Sequence, residues 1–311
     1  MEDIFFDNKS VEIVKQNLFK DYLKTLKSPL APIYEEMFLK AYVYVIKSTK
    51  DNQTLGFAAK LDHKLLYFYV KESYSALSFD LFKKFVASYG INEVMVLSDD
   101  GLMTFLCLCT EFEIEKQRFS FCDNLMSYAD FLSTKKAGLD LKDLFKNNQA
   151  FIKINELFFG KGVLKEINYD LEFSYATKHD FKAVARLISL ENSDFLKLCD
   201  EKQLFVIKAH KLKIGKVVEP SFDYEKILAI GILSDNFGFY KSVSFDVFVD
   251  ENYRGKGLGS QFLRALKFIA NKINLYPLSY CDFYDLPKKQ ALIKAGLKIS
   301  RCEITAKLKA V

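Results

Sequence analysis

The residues with the clearest chemical capacity lie between Val243 and Phe268, V-S-F-D-V-F-V-D-E-N-Y-R-G-K-G-L-G-S-Q-F-L-R-A-L-K-F. Arg254, Gly255, Lys256, Gly257, Leu258, Gly259 and Ser260 form an unbroken glycine-rich, basic run. Glycine lets a main chain turn left-handed and lets a ligand approach its N–H groups closely. The Arg and Lys add positive charge, and the Ser adds a hydroxyl. This is chemistry for holding an anion, a phosphate or pyrophosphate above all.

Such a run works only when a strand leads into it and a helix leads out. Val243, Phe245, Val247 and Val249 alternate with other residues, which predicts a strand. Phe262, Leu263, Leu266 and Ile269 recur at helical spacing, which predicts a helix starting at the turn. The unpaired N–H groups and dipole at its N-terminus favour negative charge. No G-x-x-x-x-G-K-[ST] pattern is present, so Gly160-Lys161-Gly162 is not a P-loop.

The chain that carries this run has 311 residues, half of them apolar, which suits two folded domains of about 150 residues each. Its net charge of +5 is mild for this length. It fits an anionic cofactor and gives no case for nucleic acid, which calls for clustered Lys and Arg. The start, M-E-D-I-F-F-D-N-K, has no signal-peptide pattern, and no apolar run is long enough to span a membrane. The six cysteines are scattered without zinc spacing, and the three histidines lack any metal pattern, so no metal is expected. Reduced thiols and a cytoplasmic location are the economical reading.

Along the first half, a helix is predicted over about 10–26, strands over 41–46, 55–61 and 65–70, and a helix from Leu77 to Tyr89. A strand over 93–97, a helix over 101–112 and a strand over 113–122 follow. Residues 123–168 give no firm pattern beyond a helical stretch at 140–145, and read as the end of a first domain and a connection. The second half repeats this order, with a helix behind Thr177-x-x-Asp180, strands over 204–209 and 227–233, and a polar insertion from Lys211 to Lys226.

Residues match as well. Val45-Ile46-Lys47 parallels Val206-Ile207-Lys208, Leu55-Gly56-Phe57 parallels Ile230-Gly231-Ile232, Val70-x-Glu72-x-Tyr74 parallels Val249-x-Glu251-x-Tyr253, and Lys84 to Ala87 parallels Lys267 to Ala270. Between the last two pairs the first half is four residues shorter and lacks the R-G-K-G segment. A tandem repeat is therefore expected, with a degenerate copy plus connection over 1–165 and an intact copy over 166–311.

The glycine run resembles the acyl-CoA motif of the GNAT acetyltransferases, R/Q-x-x-G-x-G/A, with Arg254, Gly257 and Gly259 at its fixed positions. The resemblance covers about 171–309 and, more weakly, 1–123. It implies an α/β (α+β) fold of two tandem GNAT-like domains, each a mixed, mostly antiparallel sheet flanked by helices. In that fold the fourth and fifth strands splay apart, and acyl-CoA lies in the opening. The resemblance implies that backbone groups of Val247, Phe248 and Val249 bind the pantetheine arm and that Arg254 to Gly259, with Ser260, hold the pyrophosphate. It makes 278–283 the fifth strand, 287–295 the next helix and 298–307 the closing strand.

One position departs from the family pattern. Where many members carry a tyrosine that protonates the departing thiolate, this chain has Leu292. Candidates for proton transfer are Asp246, Asp282, Asp285, Tyr280 and Tyr284. The function implied is transfer of an acetyl group from acetyl-CoA, as cosubstrate, to a primary amine in a ternary complex. The acceptor is a small molecule or a protein, and the protein is a monomer or homodimer. A non-catalytic acyl-CoA sensor is the alternative. The first domain would shape the acceptor cleft and the 211–226 insertion would form a wall.

Overall fold

Alternating apolar residues build the strands, and helices with one apolar stripe cover them. The computed structural model describes residues 4–28, 30, 32–110, 112–123, 141–146, 148–160, 163–164, 167, 170–210, 226–235 and 241–308. The predicted wall at Lys211–Lys226 lies outside these, save Lys226 itself. Strands β1 to β6 are Ile4–Lys9, Tyr42–Ser48, Thr54–Leu61, Lys64–Val70, Glu93–Leu97 and Phe112–Asp123. Strands β7 to β12 are Asp170–Tyr175, Leu204–His210, Lys226–Asp235, Ser242–Val249, Tyr276–Asp282 and Leu297–Leu308. Helices α1 to α4 are 11–25, Pro32–Lys40, Ser78–Tyr89 and Gly101–Leu108. Helix α5 is Gln149–Ile154 continued through Asn155–Phe159, and α6 to α9 are Phe181–Leu187, Asn192–Asp200, Leu258–Lys272 and Leu286–Lys294.

Two compact units form, and they interleave along the chain. One holds Met1–Ser120, Cys281–Tyr284 and Ile299–Val311; the other holds Phe121–Tyr280 and Asp285–Lys298. The last strand, expected to close the second domain, belongs mostly to the first unit. There Glu303 to Lys307 pair antiparallel with Leu97 to Glu93 of β5. The strands of the first unit run in the order β1-β2-β3-β4-β5-β12-β6, and those of the second in the order β11-β10-β9-β8-β7.

The connection also resolves differently from expectation. Helix α5 belongs to the second unit, where Phe159 stacks on Phe173 of β7 at 5.7 Å and meets Phe262 of α8 edge-on at 6.3 Å. Asn155 closes the free edge of β7 with two bonds: its Oδ1 accepts from the Phe173 N–H at 2.7 Å and its Nδ2 donates to the Phe173 carbonyl at 3.1 Å. No firm sequence pattern marks this helix because its aromatic residues meet different partners, Phe158 packing near Phe268 and Phe159 on Phe173.

Strand registers show the repeat at residue level. A bulge falls between Ile46 and Lys47 in the first unit and between Ile207 and Lys208 in the second, at residues that match in sequence. The glycine match is out by two residues. Gly56 pairs with Ile46 and Val70, and the residue that pairs with Ile207 and Val249 is Ala229, not Gly231. The same registers put Tyr67, opposite Ala59, in the place of Asp246, opposite Ile232.

Candidate active site

The parallel strands β10 and β11 pair only at Ser242/Tyr276, Val243/Pro277 and Ser244/Leu278. Strand β10 then continues to Val249 against β9 alone. Its inner edge is open from Phe245 onward, where the Ser279 hydroxyl donates to the Phe245 carbonyl at 2.8 Å. The Asp250 N–H donates to Leu228 on β9, so by alternation Phe245, Val247 and Val249 direct their N–H and C=O groups to the open side. The expected splay is present. The first unit has its own, with β4 and β5 pairing only at Lys64/Glu93 and Leu65/Val94.

At the end of β10 the chain makes a single 3-10 turn, Glu251–Tyr253, and enters the glycine run. Gly255 and Gly257 take φ values of +78° and +83°, a region open to glycine and strained for other residues. Gly257 is the N-cap of α8, and no side chain caps it. The first in-helix bond runs from Gln261 N–H back to Gly257, so the Leu258, Gly259 and Ser260 N–H groups lie ahead of the ladder. The Ser260 hydroxyl donates to the Gly257 carbonyl at 2.8 Å and fixes the first turn. Arg254 donates from Nε to the Val249 carbonyl at 3.2 Å, while its exposed Nη groups remain available to an anion. The Lys256 and Lys226 ammonium groups lie 5.2 and 4.8 Å from the centre of the Tyr253 ring.

Two glycines bring helix and sheet close enough to place this cradle. A Cβ on Gly231 of β9 would stand 2.7 Å from the Phe262 ring of α8, and one on Gly259 would stand 3.4 Å from Val249. Sequence reading gave Gly231 only a place in the repeat. Its function is close approach, and the signal was a lone glycine inside an apolar strand. The first unit does not build this cradle. Its 3-10 turn, Glu72–Leu77, runs directly into α3, and the Ser78 N–H is spent on Ser75.

The candidate proton-transfer residues fall in different settings. Asp246 is half-buried, its carboxylate 2.8 Å from the Lys288 ammonium and accepting from the Val247 N–H at 2.8 Å. Asp285 is the N-cap of α9 and accepts from the Lys288 N–H at 3.0 Å. Tyr280 is partly buried on β11. Asp282 and Tyr284 belong to the first unit; Asp282 lies 3.7 Å from Arg118 and Tyr284 is 89% exposed. Leu292 is fully buried. The structure thus brings Asp246 and Asp285 together through Lys288, a residue that sequence reasoning passed over. Its position after a helix start made it look like an ordinary surface lysine.

Among the described residues, no cluster of His, Cys, Asp or Glu is arranged to hold a metal, and no helix is long and apolar enough to cross a membrane.

In the second unit a splayed pair of parallel strands thus stands beside a helix whose N-terminus is a glycine turn with no side-chain cap. Residues 12–124 match the family described as acetyltransferase (GNAT) domain. Over 99% of its length the chain is similar to a GNAT-family acetyltransferase from Colwellia psychrerythraea, covering 100% of it, with a TM-score of 0.67 at 16% identity. It is also similar to a GCN5-related N-acetyltransferase from Sphaerobacter thermophilus (TM-score 0.58, 8% identity, 97% of this chain and 94% of the other). A tandem GNAT protein from the clavulanic acid biosynthesis pathway gives a TM-score of 0.51 at 8% identity, with 99% and 100% covered. No curated protein matches the chain. Residues 12–124 match the GNAT acetyltransferase domain family, and the chain as a whole shares the fold of these GNAT structures, one of them a tandem protein. The family match falls on the half without the glycine run.

Proposed function

We propose that the second unit binds acetyl-CoA and transfers its acetyl group to a primary amine by direct attack in a ternary complex. The observation that carries this reading is the uncapped α8 N-terminus at the end of the open β10 edge, two anchoring features within one stretch of chain. The N–H groups of Leu258, Gly259 and Ser260, with Arg254 and Lys256, suit a pyrophosphate. The Val247 carbonyl and the Val249 N–H suit a pantetheine arm, while the Val247 N–H is given to Asp246 and the Val249 carbonyl accepts from Arg254. When bound, acetyl-CoA would supply the activated thioester, and the Val249 N–H is the group that would polarise its carbonyl.

Asp246 is the group best placed to take a proton from an incoming amine. It lies on the β10 face shared with Phe248, which packs on the α6–α7 cluster, opposite the face where Val249 meets α8. The first unit has Tyr67 at the equivalent place, buried and donating to the Tyr34 carbonyl, so the reading assigns chemistry to the second unit alone. With Leu292 in place of a tyrosine, the thiolate leaves without an acid at that position. A thiol pKa of roughly 8.5 makes this slower but workable, since a general acid contributes about 10²–10⁴-fold.

The reading carries with it an amine-bearing acceptor, small molecule or protein, no nucleic-acid or membrane partner, a monomer or homodimer, and the cytoplasm. Incubation with acetyl-CoA and a broad amine panel should release CoA above background; no release with any amine would reject the transferase. The buried Leu292 and the Lys288-bound Asp246 favour a second reading, an acyl-CoA sensor without turnover. Calorimetry separates the two: the sensor binds acetyl-CoA and leaves it intact.

A further inference from the structure

Lys288 stands in a poor place for a cation. It lies in the first turn of α9, where the helix dipole is positive, and the acidic group at that helix end, the N-cap Asp285, is spent on the Lys288 N–H. Its ammonium nevertheless turns to β10 and lies 2.8 Å from each carboxylate oxygen of Asp246. That carboxylate also receives the Val247 N–H, so a primary amine is held, through one proton acceptor, beside the open strand edge. The side chains are 26% and 38% exposed, too open for this pair alone to add more than a small amount to stability. An amine acceptor needs a primary amine, a base in contact with it and a position beside the thioester. The chain's own Lys288 meets the first two and lies at the edge to which the proposed function assigns the third.

We propose that Lys288 is an internal acetyl acceptor, modified at Nζ by the second unit itself. This rests on the acetyl-CoA reading above. The Lys288 ammonium passes one proton to the Asp246 carboxylate, and the freed amine attacks the thioester carbonyl carbon. The C–N bond forms and the C–S bond breaks. The second proton lost from nitrogen ends on the CoA thiolate, and the proton on Asp246 passes to solvent. The products are an acetylated lysine, CoA thiol and one proton. The amide carries no charge, so acetylation also releases Asp246 to receive the ammonium of an external amine.

The test is peptide mapping by mass spectrometry after timed incubation of the full chain with acetyl-CoA, with the neighbouring Lys289 as the reference for non-enzymatic acetylation. Lys288 should be acetylated at least about ten-fold faster than Lys289, in keeping with base-assisted attack. The rate constant should not depend on protein concentration. Gly257→Glu should remove the excess at Lys288 and leave Lys289 unchanged, and excess desulfo-CoA should do the same to the unaltered protein, independently of how the variant folds. Equal rates at the two lysines, or insensitivity of Lys288 to desulfo-CoA, overturns the proposal. Calorimetry with CoA on the same samples divides the failures. Binding without Lys288 modification rejects this inference alone, and no binding rejects the acetyl-CoA reading with it.

Discussion

The Ser279 hydroxyl donates to the Phe245 carbonyl at 2.8 Å, one residue beyond the last backbone pair of β10 and β11. A side chain thus takes over the ladder where the two strands part, and Ser279 is wholly buried. Ser279→Ala would leave the Phe245 carbonyl without that donor, at a cost of about 1–3 kcal/mol. Because the bond fixes where the opening begins, CoA affinity should fall about five-fold or more, the equivalent of about 1 kcal/mol. Chemical denaturation and calorimetry read the two effects. Unchanged CoA affinity would show that the bridge does not govern the opening.

Gly255 and Gly257 have nearly the same left-handed backbone but different surroundings. A Cβ on Gly255 meets nothing within 4 Å, whereas one on Gly257 lies 3.4 Å from Leu164, at the helix cap. Alanine at either site should cost about 1 kcal/mol of stability through backbone strain. Only Gly257→Ala puts a methyl group at the N–H cradle itself, so it should weaken CoA binding about ten-fold, and Gly255→Ala much less. Equal losses of affinity would mean that strain, not access to the N–H groups, is what matters.

How much of this was legible in the sequence depended on whether the cause was local. The glycine run, its strand and its helix were readable because alternation, glycine spacing and helical periodicity are all local. The three-residue match at Val45 to Lys47 and Val206 to Lys208 was legible, and the structure adds a register shift at the same place in both halves. The match of Gly56 to Gly231 misled because two glycines were present for unlike reasons. A Cβ on Gly56 would collide with the Tyr69 carbonyl of the neighbouring strand, and one on Gly231 with the Phe262 ring of a covering helix. The exchange of β12 into the first unit and the Lys288–Asp246 pair were not legible. Both depend on contacts between residues far apart in sequence, for which no local pattern exists.

A tyrosine placed at position 292 should not supply a general acid. Leu292 is fully buried on α9, so the larger side chain would have to displace its neighbours, at about 1–3 kcal/mol. Leu292→Tyr should therefore lower the melting temperature without raising kcat. A gain in kcat with unchanged stability would mean that the ring reaches the open edge of β10, contrary to the packing seen.

Glu303 of β12 offers a pH test confined to the first unit. Burial is the largest influence on its carboxyl and pushes the pKa up from an ordinary 4.5 to about 7, against the opposing effects of the Tyr34 hydroxyl, Arg301 and Arg118. A raised acid pKa means that the folded state holds the proton more tightly than the unfolded chain. The associated stability is complete below about pH 4.5 and is lost as pH rises towards 7, where the unfolded chain has already released its proton. The loss is on the order of 3–4 kcal/mol at most. Asp100, also raised by burial, acts in the same direction, so the informative comparison is with Glu303→Gln. That substitution keeps an acceptor for the Tyr34 hydroxyl and removes the titration. Denaturation midpoints from pH 4.5 to 8 should fall less steeply for Glu303→Gln than for the unaltered protein, with the two curves diverging most above pH 7. Parallel curves would mean that Glu303 is not the group that titrates.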